Sequence, residues 1–250
     1  MEERPKANLS GVVIFVAVFL LTSSFPFSLI FPDLELVYWL NIACRLAFFP
    51  FAFLFLRKRF LPRPSFAKPA KRIWLFGPFL LLCLSNFLVA WIQGLPGLKM
   101  ASPAPLLKAA LFYLLVAVGE ELVFRVVVYS ECKKKWSLWK AALVSSLVFA
   151  LPHLLNATSW ATLGTSALQV VYSFFLGLLL SIIYEASGNI LWAMAFHFIF
   201  DFVNGSLVSS LFPLPWDAAF YVTNALVSAG MFLYFLLIRP ILFDKEKPLL

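Results

Sequence analysis

Apolar residues run along this chain in eight long blocks, roughly 9–30, 38–56, 73–92, 106–130, 138–155, 164–184, 188–206 and 218–239. Charge, proline and glycine collect in the short stretches between them. A helix rises about 1.5 Å per residue, so each block can cross roughly 30 Å of hydrocarbon, the fifth only just. The pattern predicts an all-α protein, a polytopic transmembrane bundle of about eight helices forming one integral membrane domain over 1–250. Pro62-Arg63-Pro64 and Pro69 stiffen the second loop, Gly94-Leu95-Pro96-Gly97 and Pro103-Ala104-Pro105 separate the third and fourth blocks, and Glu185-Ala186-Ser187-Gly188-Asn189 reads as a tight turn. No internal repeat stands out.

Composition agrees with the pattern. Of 250 residues 62% are hydrophobic, 29 are Phe and only 13% are charged, which excludes an ordinary soluble domain. The placement of the +8 net charge says more than its size. Arg57, Lys58, Arg59, Arg63, Lys68, Lys71 and Arg72 share one loop, and Lys133, Lys134, Lys135 and Lys140 another. With both termini in the cytoplasm, 16 of the 20 basic residues lie on the cytoplasmic side, as the positive-inside rule requires of an even number of spans. The expected setting is the plasma membrane of a bacterium or archaeon. The basic loop has few interleaved aromatics, so its expected neighbour is the lipid bilayer with its anionic headgroups, and no nucleic acid. Cys44, Cys83 and Cys132 have the spacing of neither a disulfide framework nor a metal site.

Against this apolar background, Glu120, Glu121 and Arg125 fall inside the fourth block. An ionisable residue at membrane depth is expensive and marks a functional site by default. Glu121 and Arg125, four apart, stack on one helix face and neutralise each other locally, whereas Glu120 points elsewhere with no partner nearby in sequence. Both histidines of the chain also lie within blocks: His153 closes Phe149-Ala150-Leu151-Pro152-His153, and His197 shares a face with Asp201 four residues on. Counted from the cytoplasmic ends, Glu120 lies about 17 Å deep, His153 about 22 Å, His197 about 13 Å and Asp201 about 19 Å. Four polar groups on three helices thus occupy one slab of the membrane, and they are expected to line one polar cavity.

A carboxylate and an imidazole in such a cavity can share a water proton. Glu120 with His153 could activate water against a carbonyl, and His197 could donate a hydrogen bond to the resulting oxyanion. No serine or cysteine triad, phosphate loop or His-Glu-x-x-His zinc helix is present. His153, His197 and a carboxylate could also hold zinc, and buried Glu, His and Asp also serve as proton relays in transporters. A third reading makes the same residues interhelical packing groups of a silent scaffold or immunity protein.

At these positions the chain resembles the CPBP family of intramembrane proteases, which includes the CAAX-prenyl endopeptidases and bacterial proteins linked to bacteriocin processing and immunity. The Glu-Glu pair followed after three residues by Arg is similar to Glu120-Glu121-Leu122-Val123-Phe124-Arg125. The Phe and the His four positions later are similar to Phe149 and His153, and the third motif to His197 and Asp201. The likeness covers about 105–206, taken as a catalytic core of helices four to seven. It implies a glutamic endopeptidase with no cofactor and no metal, acting on a membrane-associated peptide or protein. It further implies Glu120 as the base, helped by His153, with His197 and Asp201 at the oxyanion and Arg125 supporting the paired glutamates. The prenyl-protein branch has Asn where this chain has Asp201.

Overall fold

In the computed structural model, residues 9–25, 27–57, 76–84, 86–87, 90, 102–157, 160–211 and 218–243 are described. They form helices without a β-strand: α1 (Leu9–Ser23), α2 (Leu34–Leu56), α3 (Gly77–Cys83), α4 (Pro103–Glu121), α5 (Ser130–Lys133), α6 (Leu138–Ala150), α7 (Trp160–Ser187), α8 (Ile190–Phe202), α9 (Val208–Leu211) and α10 (Ala218–Phe243). A π-helical stretch, Leu122–Tyr129, carries α4 into α5, and a second, Val203–Leu207, carries α8 into α9. A 3-10 turn, Leu151–Asn156, extends α6.

Local chemistry sets the boundaries. The Asp33 side chain accepts hydrogen bonds from the backbone N–H groups of Glu35 and Leu36 at 2.8 and 3.2 Å, capping α2. Asn189 does the same for α8 through Leu191 N at 2.9 Å. Between α7 and α8, Gly188 adopts φ 63°, a left-handed conformation in which a side chain would be strained, so the chain reverses within two residues. Pro103 and Pro105 fall in the first turn of α4, where a missing N–H costs nothing.

The molecule is apolar on the outside as well as within. Leu29, Leu34, Leu107 and Leu237 are each more than 70% exposed, which suits contact with lipid. Four helical stretches among the described residues are long and apolar enough to cross a membrane: Leu34–Leu56, Leu138–Asn156, Thr162–Ser187 and Ile190–Leu207. This is fewer than the eight expected from the apolar blocks. The stretch holding Glu120, Glu121 and Arg125 is not among the four, because three ionisable groups interrupt its apolar run. The first block yields a helix of only 15 residues, and much of the third block lies outside the described residues.

Two aromatic-rich cores hold the helices. One joins α1, α2, the first π stretch and α6: Phe19 sits 5.2 Å from Phe48 and 5.9 Å from Phe124, and Phe124 sits 5.2 Å from Phe149, ring centre to ring centre. The other packs α3, α7, α8 and α10 around Leu180, Ile183, Phe196 and Phe235. Lys133 reaches Glu185 at 2.5 and 2.6 Å, and the Tyr129 hydroxyl donates to the same carboxylate at 3.0 Å, tying the end of the α4–α5 run to α7. Phe149 stands at the edge of the first core and, as shown below, also forms a wall of the polar site.

The α6–α7 crossing is close because Gly177 has no side chain. A Cβ there would come within 3.0 Å of the Ser146 Cβ and 3.1 Å of its Cα. Since backbone must move to admit it, Gly177→Ala is expected to cost about 1–3 kcal/mol, as overpacking does. Thermal unfolding in one detergent, compared with wild type, checks this; an unchanged midpoint would mean that the crossing has slack.

Candidate active site

Glu121 occupies the last turn of α4 and is fully buried, as is Arg125 in the π stretch that follows. The Arg125 Nη1 donates to Glu121 Oε1 at 2.8 Å, the pair expected from their spacing. The same oxygen lies 2.8 Å from Nδ1 of His197, reaching across from α8. That contact was not expected, because it joins residues far apart in sequence. A carboxylate oxygen accepts, so Nδ1–H donates to it, and the other ring nitrogen, Nε2, is turned toward the remaining acidic groups. Arg125 is fixed from two further sides: Nη2 donates to the Gly177 carbonyl at 3.2 Å, and its Cζ lies 4.5 Å from the centre of the Phe149 ring.

Around Nε2 stand Asp201 Oδ2 at 3.3 Å and Glu120 Oε2 at 3.6 Å. The second separation exceeds a direct hydrogen bond and is one that a water molecule can bridge. The Glu120 and Asp201 side chains keep 16% and 22% exposure, whereas Glu121 and Arg125 keep none. The two adjacent glutamates therefore divide as expected, one sealed in protein and one facing open space. Three carboxylates share one fixed cation and one imidazole.

His153 is placed by the 3-10 turn after α6 and not by the helix itself. Phe149 separates the two imidazoles: its ring centre is 5.7 Å from that of His153 and 5.6 Å from that of His197, both at near-perpendicular angles. Glu120, His153, His197 and Asp201 line one cavity of about 170 Å³, so the convergence expected from membrane depth is met. A larger space of about 450 Å³ also touches Glu120, His153 and Asp201 and brings in Arg45 from α2. Arg45 donates to the Ser23 carbonyl at 2.8 Å and lies over the Phe112 ring.

Both π stretches begin beside the acidic residues, one after Glu121 and one shortly after Asp201. Such segments leave backbone carbonyls off the regular ladder, and they are frequent at functional sites. Here two serines take up the slack: Ser145 donates to Phe124 O at 2.6 Å and Ser130 to Arg125 O at 3.1 Å. Among the described residues no group of three His, Cys, Asp or Glu is set to hold a metal ion.

Some polar residues of this site escaped sequence reasoning. Arg45 was noticeable only as a lone cation inside a span. Asn86, Asn204 and Asn224 come from separate elements, and the Nδ2 of Asn86 donates to the Oδ1 atoms of both others at 2.9 Å. Asn204 and Asn224 also border the 170 Å³ cavity. Single amides in apolar helices are a weak signal, although Asn204 follows Asp201 by three residues and both line the cavity.

Residues 102–203 match the family described as Type II CAAX prenyl endopeptidase Rce1-like. The matched segment contains Glu120, Glu121, Arg125, Phe149, His153, His197 and Asp201. No curated protein matches the chain.

Because Glu121 joins Arg125 to His197 in full burial, removing either charge strands the other. Glu121→Gln and Arg125→Leu are each expected to cost about 3–5 kcal/mol of stability, while the double variant should cost less than the two single changes added together. A double-mutant cycle of unfolding in detergent checks this, and additive losses would mean that the two residues do not depend on each other.

Proposed function

From the premise that this chain is a CAAX/CPBP-type membrane protease of the glutamic kind, as its match over 102–203 and its buried Glu/His pair support, we propose the following assignment of its residues. Glu120 is the general base. The observation that carries the reading is the 3.6 Å gap between Glu120 Oε2 and His197 Nε2, on the wall of a cavity, with Glu121 and Arg125 fixing the imidazole from behind.

Glu120 takes a proton from water as the water oxygen bonds to the scissile carbonyl carbon and the carbonyl π pair moves onto oxygen. His197 Nε2–H donates to that oxyanion. Collapse restores the carbonyl and breaks the C–N bond, and Glu120 returns its proton to the leaving amine. His153, on the same cavity wall, orients the water. With a hydrogen on each ring nitrogen His197 acts as an imidazolium: Glu121 accepts from Nδ1–H on one side, and Asp201 beside Nε2 helps position the ring on the other. Phe149 keeps the two imidazoles apart and shields Arg125.

The substrate class is a peptide bond in a membrane-associated peptide or protein. The lipid-facing exterior supports delivery from the bilayer. In this reading the chain crosses the membrane eight times with both termini in the cytoplasm, the arrangement its basic loops favour. The helix of the Glu pair crosses despite its charges because they face protein and cavity instead of lipid.

Glu120→Gln is expected to leave the thermal midpoint near that of wild type and to reduce peptide cleavage to background, since the amide cannot take the proton. Cleavage is also expected to survive chelators, because the water is activated by a carboxylate. A lipid-anchored, internally quenched peptide in proteoliposomes reads both; wild-type rates in Glu120→Gln, or loss to a chelator reversed by one added metal, would remove the assignment.

For Asp201 the two variants separate shape from donor or acceptor capacity. Asp201→Asn keeps an oxygen beside Nε2 and should retain at least about a tenth of wild-type turnover, whereas Asp201→Ala should lose about 10²-fold, the scale of one lost catalytic hydrogen bond. Cleavage rates per folded molecule across a pH series test this. Full activity in the Ala variant would take Asp201 out of the site.

A further inference from the structure

The amide cluster beside the site has a feature that packing does not explain. Asn86 spends both hydrogens of its Nδ2 group on the Oδ1 atoms of Asn204 and Asn224. This draws both oxygens toward Asn86 and turns the Asn204 Nδ2 away from it. Asn204 is only 5% exposed, and its Nδ2 has no hydrogen-bond partner among the described residues. A buried donor left unpaired is destabilising, so native proteins rarely keep one without a use. Asn204 also borders the 170 Å³ cavity that Glu120 and His197 line.

The proposed chemistry leaves room for such a donor. His197 Nε2 faces Asp201 and Glu120, and an ionised carboxylate can accept hydrogen bonds but cannot donate one. Once Glu120 has taken the water proton, the Asp201 carboxylate still opposes an oxyanion beside it, and a neutral N–H is the group that would offset it. Asn204 lies in the second π stretch, three residues after Asp201, and both residues line the cavity.

Resting on the proteolytic reading above, we infer that Asn204 is a further catalytic residue, whose Nδ2–H donates a hydrogen bond to the substrate's carbonyl oxygen as it becomes an oxyanion. No proton leaves the amide. The π pair of the carbonyl moves onto oxygen as water adds, the N–H stabilises that charge, and the bond relaxes when the C–N bond breaks. Asn86 is the positioning residue that aims the donor.

The experiment uses the full chain in proteoliposomes and a lipid-anchored, internally quenched peptide, with wild type and Glu120→Gln run first. Cleavage by wild type and none by Glu120→Gln upholds the proteolytic reading by itself; equal rates overturn that reading and this inference together. Asn204→Asp keeps the size and the oxygen that Asn86 binds but removes the donor. It is expected to lower kcat about 10²-fold, with KM changed by less than about threefold, because the interaction forms in the transition state. Its activity relative to wild type at the same pH should rise as pH falls from about 8 to about 5, where the introduced carboxyl regains a proton and can donate; a packing role would not produce that slope. Asn86→Ala should lower kcat by a smaller factor. If Asn204→Asp does not fold, Asn204→Ala is measured per folded molecule and should show the same split between kcat and KM. Wild-type kcat in either folded variant, or a loss confined to KM or to thermal stability, overturns the inference.

Discussion

One carboxylate oxygen, Glu121 Oε1, holds this site together. It accepts from Arg125 within its own helical run and from His197 across the bundle, each at 2.8 Å, in a place with no exposure. Burying ions costs several kcal/mol each unless geometry and added hydrogen bonds return it. Here the return comes from the Gly177 carbonyl, the Phe149 ring and the imidazole, so four helical elements must be in place at once. This is a demanding way to stabilise a fold and an effective way to fix a ring. With Nδ1 held, Nε2 can face only the cavity.

The hydrophobic packing serves the same end. Phe149 belongs to the core that begins at Phe15 and Phe19 in α1, yet its ring also touches Arg125 and lies between the imidazoles. Rigidity made by ring packing in this buried core is thereby passed to the polar groups. Preorganisation of this sort is what lets fixed dipoles act without reorganising during reaction.

Much of the site was legible in the sequence because helix periodicity reports neighbours along one helix, and membrane depth reports neighbours across helices. The first gave Glu121 with Arg125 and His197 with Asp201; the second gave the cavity shared by Glu120, His153, His197 and Asp201. Neither could give Glu121 with His197, since rotation about each helix axis is set by packing between helices. The Asn86–Asn204–Asn224 cluster was hidden for the same reason. Hydropathy was a coarser guide to crossings: it marked eight apolar blocks, whereas four described stretches are long and apolar enough. The charges that identify the site also dilute the signal of the helix that carries it. The π stretches left no trace, because Leu122–Tyr129 reads as an ordinary apolar run.

That first π stretch has a consequence for how the two ends of one long helical run are phased. Its i to i+5 bonding makes each turn wider than an α turn, so residues beyond it face directions that a regular helical wheel does not give. Upstream, Glu120 is presented to the cavity; downstream, Tyr129 and Lys133 are presented to Glu185 on α7. A regular helix of the same sequence would turn these two ends through a different angle relative to each other. The widened coil thus works as a phase shifter, allowing a single rod to be anchored at the membrane boundary by one neighbour while it offers a carboxylate to a chamber deeper in.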